Sequence, residues 1–391
     1  MSNLENIQKE LAAVDSLCEN GEISEALNKL HELISKYPGE VIILKKMADI
    51  AASHEKTEHL LLAIPKLERL QPKNPETMFQ VAQGYGQAGL MELSRQAFKR
   101  FFEIAEDFPQ REELEEMLDN IFEDMFLSYK ELGLPEDKFA EVMSLHERTQ
   151  IALNAYQFNE TIRLASELLE ICPRFTPARN NLSLAYFHSG EVIKAIEEAQ
   201  AVLETQTDDV HALSNVILFY LIKNSIENAK TIGSLLSEVT VNDAETLHKK
   251  AHGLALVDNR EALFELYKAS KKVSDCKSYY GFSEMLHLIA SAYYKEKKYP
   301  TAKKLWRDAS EWFVPSEYAI SHLEDLENSK NERFGAWYVP AQDFIPIYLR
   351  ERFDQISDVF FEDQDEEKLK KLVGELDKET PYLNGILRQL L

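Results

Sequence analysis

Residues 176–205 read TPARNNLSLAYFHSGEVIKAIEEAQAVLET, and their spacing decides the fold. Apolar residues recur every three to four positions on both sides of Gly190, the signature of two amphipathic helices joined by a tight turn. Glycine suits that turn because it adopts positive φ without a steric penalty. Ala195 follows five residues later, where a side chain larger than a methyl group would hold two crossing helices apart. Tyr186 stands four residues before the turn, on the first helix.

The pattern repeats at 34 residues. Tyr156, Gly190 and Asn224 are spaced by 34, as are Thr161, Ala195 and Ala229, and Tyr186 with Tyr220. An earlier block keeps the same interval through Gly21, Glu55 and Gly89. Ala26, Leu60 and Ser94 lie five residues beyond those turns. Leu30, Ile64 and Phe98, then Leu33, Leu67 and Phe101, complete one apolar helix face. Pro38, Pro72 and Pro173 fall where second helices should end, since proline lacks an amide donor and clashes one turn back. The repeat has small residues early in its first helix, at Ala48, Ala82, Ser183, Ala251 and Ala290.

A helix–turn–helix unit of 34 residues, with an aromatic, a turn glycine, a small crossing residue and a closing proline, resembles the tetratricopeptide repeat. The expected fold is an all-α, tetratricopeptide-like α-solenoid with a helical C-terminal cap. Repeats are expected over 7–108 and 142–316. Between them, 109–141 reads as a long acidic helical connector ending near Gly133 and Pro135. From Glu103 to Asp124 it has ten acidic residues and one basic. The tail, 317–391, is expected to cap the last repeat or to dock a partner. Its stretch NERFGAWYVPAQDFIPIYLRERF suggests an irregular segment and a short helix, with amphipathic helices in FFEDQDEEKLKKLVGELDKE and PYLNGILRQLL.

The 391 residues carry a net charge of −23, which repels phosphate backbones and disfavours general nucleic-acid binding. The three cysteines are far apart and fit a reducing, cytoplasmic setting. No apolar run is long enough to span a membrane. GYGQAG at Gly84–Gly89 matches a dinucleotide fingerprint, but that site needs a preceding strand, and here the residues before it are in helical register. His211, His248, His252 and His287 lack the companion ligands of a zinc motif. No catalytic constellation, metal or cofactor is expected.

In the resembled family, first helices line a concave groove that holds peptides. By that resemblance Asn181, Asn215 and Lys249, each 34 apart, stand in one row, flanked by His211 and His248. Such a row would pair a peptide backbone through its amides and a carboxylate through Lys249. It resembles part of the family's carboxylate clamp, but His146 and Gln150 occupy the places of its first Lys–Asn pair. The helix VILFYLI, 216–222, has no polar face. It is expected either to floor the groove with Leu218 and Ile222 or to be covered by another element such as the tail.

The expected function is a protein-interaction scaffold or adaptor that binds a partner peptide, with self-association possible. The alternatives are a regulatory array closed by its own tail, and a dock for an acidic partner. The second alternative rests on 268–307, with ten basic and three acidic residues among Tyr279, Tyr280, Phe282, Tyr293 and Tyr294.

Overall fold

A computed structural model describes residues 3–131, 134–277, 279, 281–312, 315–327, 346–359, 367, 368, 370–372 and 374. It divides into two compact units, Met1–Ala178 and Arg179–Leu391. Among the described residues the regular structure is helical throughout, and no helix is long and apolar enough to cross a membrane.

In the first unit, helix pairs are α1 (Asn3–Glu19) with α2 (Ile23–Lys36), α3 (Val41–Ser53) with α4 (Thr57–Leu70), and α5 (Pro75–Gln87) with α6 (Met91–Ile104). A single 21-residue helix follows, α7 (Arg111–Glu131), and then α8 (Phe139–Asn154) with α9 (Phe158–Ile171). Helix α10 (Thr176–His188) spans the boundary and pairs in sequence with α11 (Val192–Leu203). The second unit continues with α12 (Val210–Ile222) and α13 (Ile226–Glu238), α14 (Ala244–Leu256) and α15 (Arg260–Ser270), and α16 (Phe282–Lys295) and α17 (Tyr299–Ser310). Helices α18 (Glu317–Glu327) and α19 (Ile347–Asp358) follow, and the described residues 367, 368, 370–372 and 374 are also helical.

The turns inside the pairs share one geometry. Gly21, Glu55, Gly89, Tyr156, Gly190, Asn224, Asp258 and Lys297 all have positive φ, between 53° and 87°. At each, the next residue's amide donates to a carbonyl five residues back: Glu22 to Leu17, Glu191 to Tyr186 and Ser225 to Tyr220 are examples, at 2.8–2.9 Å. This left-handed cap satisfies carbonyls that a helix end would leave unpaired. Asp258 extends the 34-residue ladder beyond Asn224, so α14 and α15 form as regular a hairpin as their neighbours. Asn74, Asp209 and Asp243 cap the first helices α5, α12 and α14, and Asn259 caps the second helix α15, by accepting backbone N–H bonds, each worth about 1 kcal/mol.

Hydrophobic spacing sets the packing. Leu30, Ile64, Leu67, Phe98 and Phe101 are buried together in the first unit's core, each aliphatic side chain contributing about 1.5–3 kcal/mol. Ala48, Ala82, Ser183, Ala251 and Ala290 are all buried, as close helix contact requires. The GYGQAG segment runs through α5 into its turn. A Cβ on Gly84 would fall 1.8 Å from Ile64 Cδ1, so that glycine permits the α4–α5 crossing.

Helix α7 replaces a hairpin and covers aromatic surface. Phe122, Phe126 and Tyr129 surround the Phe139 ring at centroid distances of 4.8, 5.3 and 5.0 Å. Helix α8 is also tied to the repeats that precede α7. The buried Glu147 carboxylate accepts from the backbone amides of Glu92 and Leu93, at 2.9 and 2.7 Å, and so caps α6. Burial pushes the Glu147 carboxyl up to about 7.

The irregular segment expected in NERFGAWYVPAQDFIPIYLRERF falls, as far as residue 345, outside the described residues, as does the helix expected in PYLNGILRQLL. Between them, α19 is the short helix expected in the aromatic stretch.

Candidate functional site

The first helices α10, α12 and α14 bring Asn181, Asn215 and Lys249 into equivalent positions, one per repeat. The structure joins two of them directly and corrects the expectation that this row stands open. Asn215 is buried, not exposed. Lys249 Nζ donates to Asn215 Oδ1 at 3.2 Å, and Asn215 Nδ2 donates to Ser183 Oγ at 3.3 Å. Ser183 Oγ in turn donates to the Asn180 carbonyl at 2.8 Å. A polar chain thus crosses α14, α12 and α10, held by side chains that a peptide was expected to use.

Burial governs the chemistry around that chain. It lowers the Lys249 ammonium to about 8, against an ordinary value near 10.5. It lowers His252 to about 3, with help from the nearby Lys249 and His248. His211 is lowered for the same first reason, with Lys249 adding to it. His248 faces the other way, its Nδ1 3.2 Å from the Tyr279 hydroxyl and its Nε2 3.4 Å from Glu284. The Asn181 amide nitrogen is buried and has no hydrogen-bond partner among the described residues. His287, grouped with these histidines by sequence, lies instead in the core of α16–α18, where Trp306 Nε1 donates to its Nδ1 at 3.2 Å.

The apolar helix 216–222 is covered on two sides. Val216, Phe219 and Ile222 share a buried cluster with Phe187 of α10 and with Leu349 and Ile356 of α19. The Phe187 and Phe219 rings stack at 4.9 Å. Leu184 and Leu218 border this cluster and remain partly exposed. Ala195, Ile196 and Ala199 of α11 belong to the same cluster, so the tail helix shares its apolar side with α10, α11 and α12.

The basic stretch is partly used within the fold. Lys268 pairs with Glu265, Lys271 lies over the Tyr267 ring, and Lys298 lies over Phe264 and Tyr293.

A second groove was missed from sequence. In the first unit α3, α5 and α7 line a depression of about 770 Å³, with Asp49, Gln80, Gln83 and Gln87 on its wall and Met117 at its edge. Gln80 Nε2 donates to Asp49 Oδ1 at 2.5 Å, and burial raises the Asp49 carboxyl. Lys46 with Gln80, and Asp49 with Gln83, are 34 apart, so the same periodic test would have found this row.

Eight helix hairpins with one turn geometry, most of them at 34-residue intervals, decide the repeat type. These hairpins form a tetratricopeptide-like array. No protein-family model matches the sequence. The chain is similar to the TPR repeat-containing protein YvcD of Bacillus subtilis (strain 168), with 25% identity over 309 residues. That match covers 77% of this chain and 60% of YvcD, so the chain spans about three-fifths of that relative's length. Among solved structures, the tetratricopeptide domain of P58(IPK) is 15% identical and covers 84% of this chain and 100% of that one, with a TM-score of 0.27. Yeast Tom70 is 12% identical and covers 98% and 94%, with a TM-score of 0.31.

Proposed function

We propose that the chain is a non-catalytic protein-binding scaffold, and that the first-helix surface of its second tetratricopeptide unit receives a partner segment. The observation that carries this reading is the Asn181 amide. A buried donor with no acceptor costs about 1–3 kcal/mol, a cost that an arriving acceptor would relieve. Partly exposed Leu184 and Leu218 supply apolar area beside it. The Lys249–Asn215–Ser183 bonds hold the neighbouring first helices together.

The test is capture from native cytosol followed by calorimetry with the captured protein. Asn181→Ala should weaken binding about three- to tenfold, one hydrogen bond's worth, without loss of helical content. Unchanged affinity in that variant would remove the groove from the proposal.

A second reading is favoured by α19. Its packing on α10 and α12 supports a scaffold closed by its own tail. A chain ending at residue 331 should then bind the same partner more tightly than the full chain. Weaker binding would instead make the tail part of the binding surface.

A further inference from the structure

Helix α19 is amphipathic in a way that fits a ligand as well as a cap. Leu349, Ile356 and Val359 are buried, whereas Tyr348, Gln355 and Asp358 are exposed. Leu349 and Ile356 are seven residues apart, two helical turns, and therefore project from one side. Both enter the cluster formed by Phe187, Val216, Phe219 and Ile222.

The helix is also oriented at one end. The Tyr348 ring lies 3.3 Å from the point where a Cβ on Gly190 would stand, at the α10–α11 turn. Arg350 is close enough to His188 to lower its pKa further, after burial, to about 4. The apolar receiving surface offers helix side chains, whose backbone groups are already paired. An extended peptide would bury its own amides there without partners, whereas a helix satisfies them internally.

We propose that α19 is an internal stand-in for the scaffold's ligand, and that the α10–α12 surface takes an amphipathic helix from the partner protein. That helix carries large aliphatic residues seven apart. This inference rests on the scaffold reading and adds the partner's chemistry to it. Being on the same chain, α19 is present at high effective concentration. A free helix meets only the fraction of molecules in which α19 has left, and its apparent affinity falls by that fraction.

The probe is a fluorescent peptide of residues 346–360, PIYLRERFDQISDVF. The full chain carrying Leu349→Asp and Ile356→Asp should bind it at least tenfold more tightly than the unaltered chain. A peptide bearing the same two changes should not bind. Asp354→Pro in the peptide, which breaks a helix but tolerates an extended chain, should weaken binding at least tenfold. Leu218→Glu in the released chain should do likewise. Circular dichroism establishes that each protein variant is folded. Hydrogen exchange on the unaltered chain gives a second route, since saturating peptide should speed exchange of the α19 amides.

A folded, released chain that ignores the peptide would make α19 a fixed cap and overturn the proposal. So would unchanged α19 exchange under saturating peptide. Equal affinity for the proline peptide would overturn the helical form of the ligand. None of these results bears on partner binding through Asn181, so the scaffold reading stands or falls separately.

Discussion

Lys249 donates to Asn215 across 34 residues of chain, at 3.2 Å, and so ties one repeat's first helix to the next. The contact uses equivalent positions on α14 and α12. Asn215→Ala would leave the lysine without its acceptor and Ser183 without its donor. Chemical denaturation should show a loss of about 1–3 kcal/mol. A midpoint within error of the parent would mean that the chain of bonds is not formed in solution.

The covered histidines make the second unit acid-sensitive. His188 and His252 are lowered to about 4 and 3 from an ordinary 6.5. Folding therefore favours their neutral forms. The stability they contribute is complete above pH 6.5 and declines as pH falls toward 4, because the unfolded chain binds protons first. The melting temperature should drop between pH 7 and pH 5. Replacing both histidines with glutamine should flatten that slope.

Glu147 runs the other way. Its carboxyl is raised to about 7, so folding favours the protonated form, and its contribution to stability declines as pH rises from about 4.5 to 7. Its two backbone bonds to α6 have no replacement in the variant Glu147→Ala. That change should cost about 1–3 kcal/mol, and hydrogen exchange should quicken at Glu92 and Leu93 before it does elsewhere in α6.

Ala195 is fully buried. Ala195→Trp should overpack that site and cost about 1–3 kcal/mol by denaturant melting. Ala201, on the same helix and only partly buried, should accept a leucine with little change.

The repeats were legible because two signals coincide in sequence. Apolar period fixes each helix face, and the 34-residue interval fixes the turn. Gly190 and Ala195 announced both. Asp258 was harder to see, because its turn has neither glycine nor a nearby proline, and only the backbone reveals its left-handed conformation. The row Asn181–Asn215–Lys249 falls on three successive first helices, but the burial of Asn215 was not legible. Spacing places side chains on a face; it does not say what covers that face. The apolar run 216–222 contained that information, since a helix without a polar side needs cover on two. Its partners Leu349 and Ile356 lie more than a hundred residues away, beyond the reach of any local pattern.

Five of the eight left-handed turns are held by residues other than glycine: Glu55, Tyr156, Asn224, Asp258 and Lys297. Each pays roughly 1–2 kcal/mol in backbone strain relative to glycine, and each keeps the same carbonyl bond five residues back. What descent must preserve at these points is a backbone angle, and several side chains can satisfy it at a tolerable cost. Such an array is free to lose its consensus letters one turn at a time while its pitch stays constant. The spacing of the array then rests on the backbone angle of its turns, whichever residue supplies it.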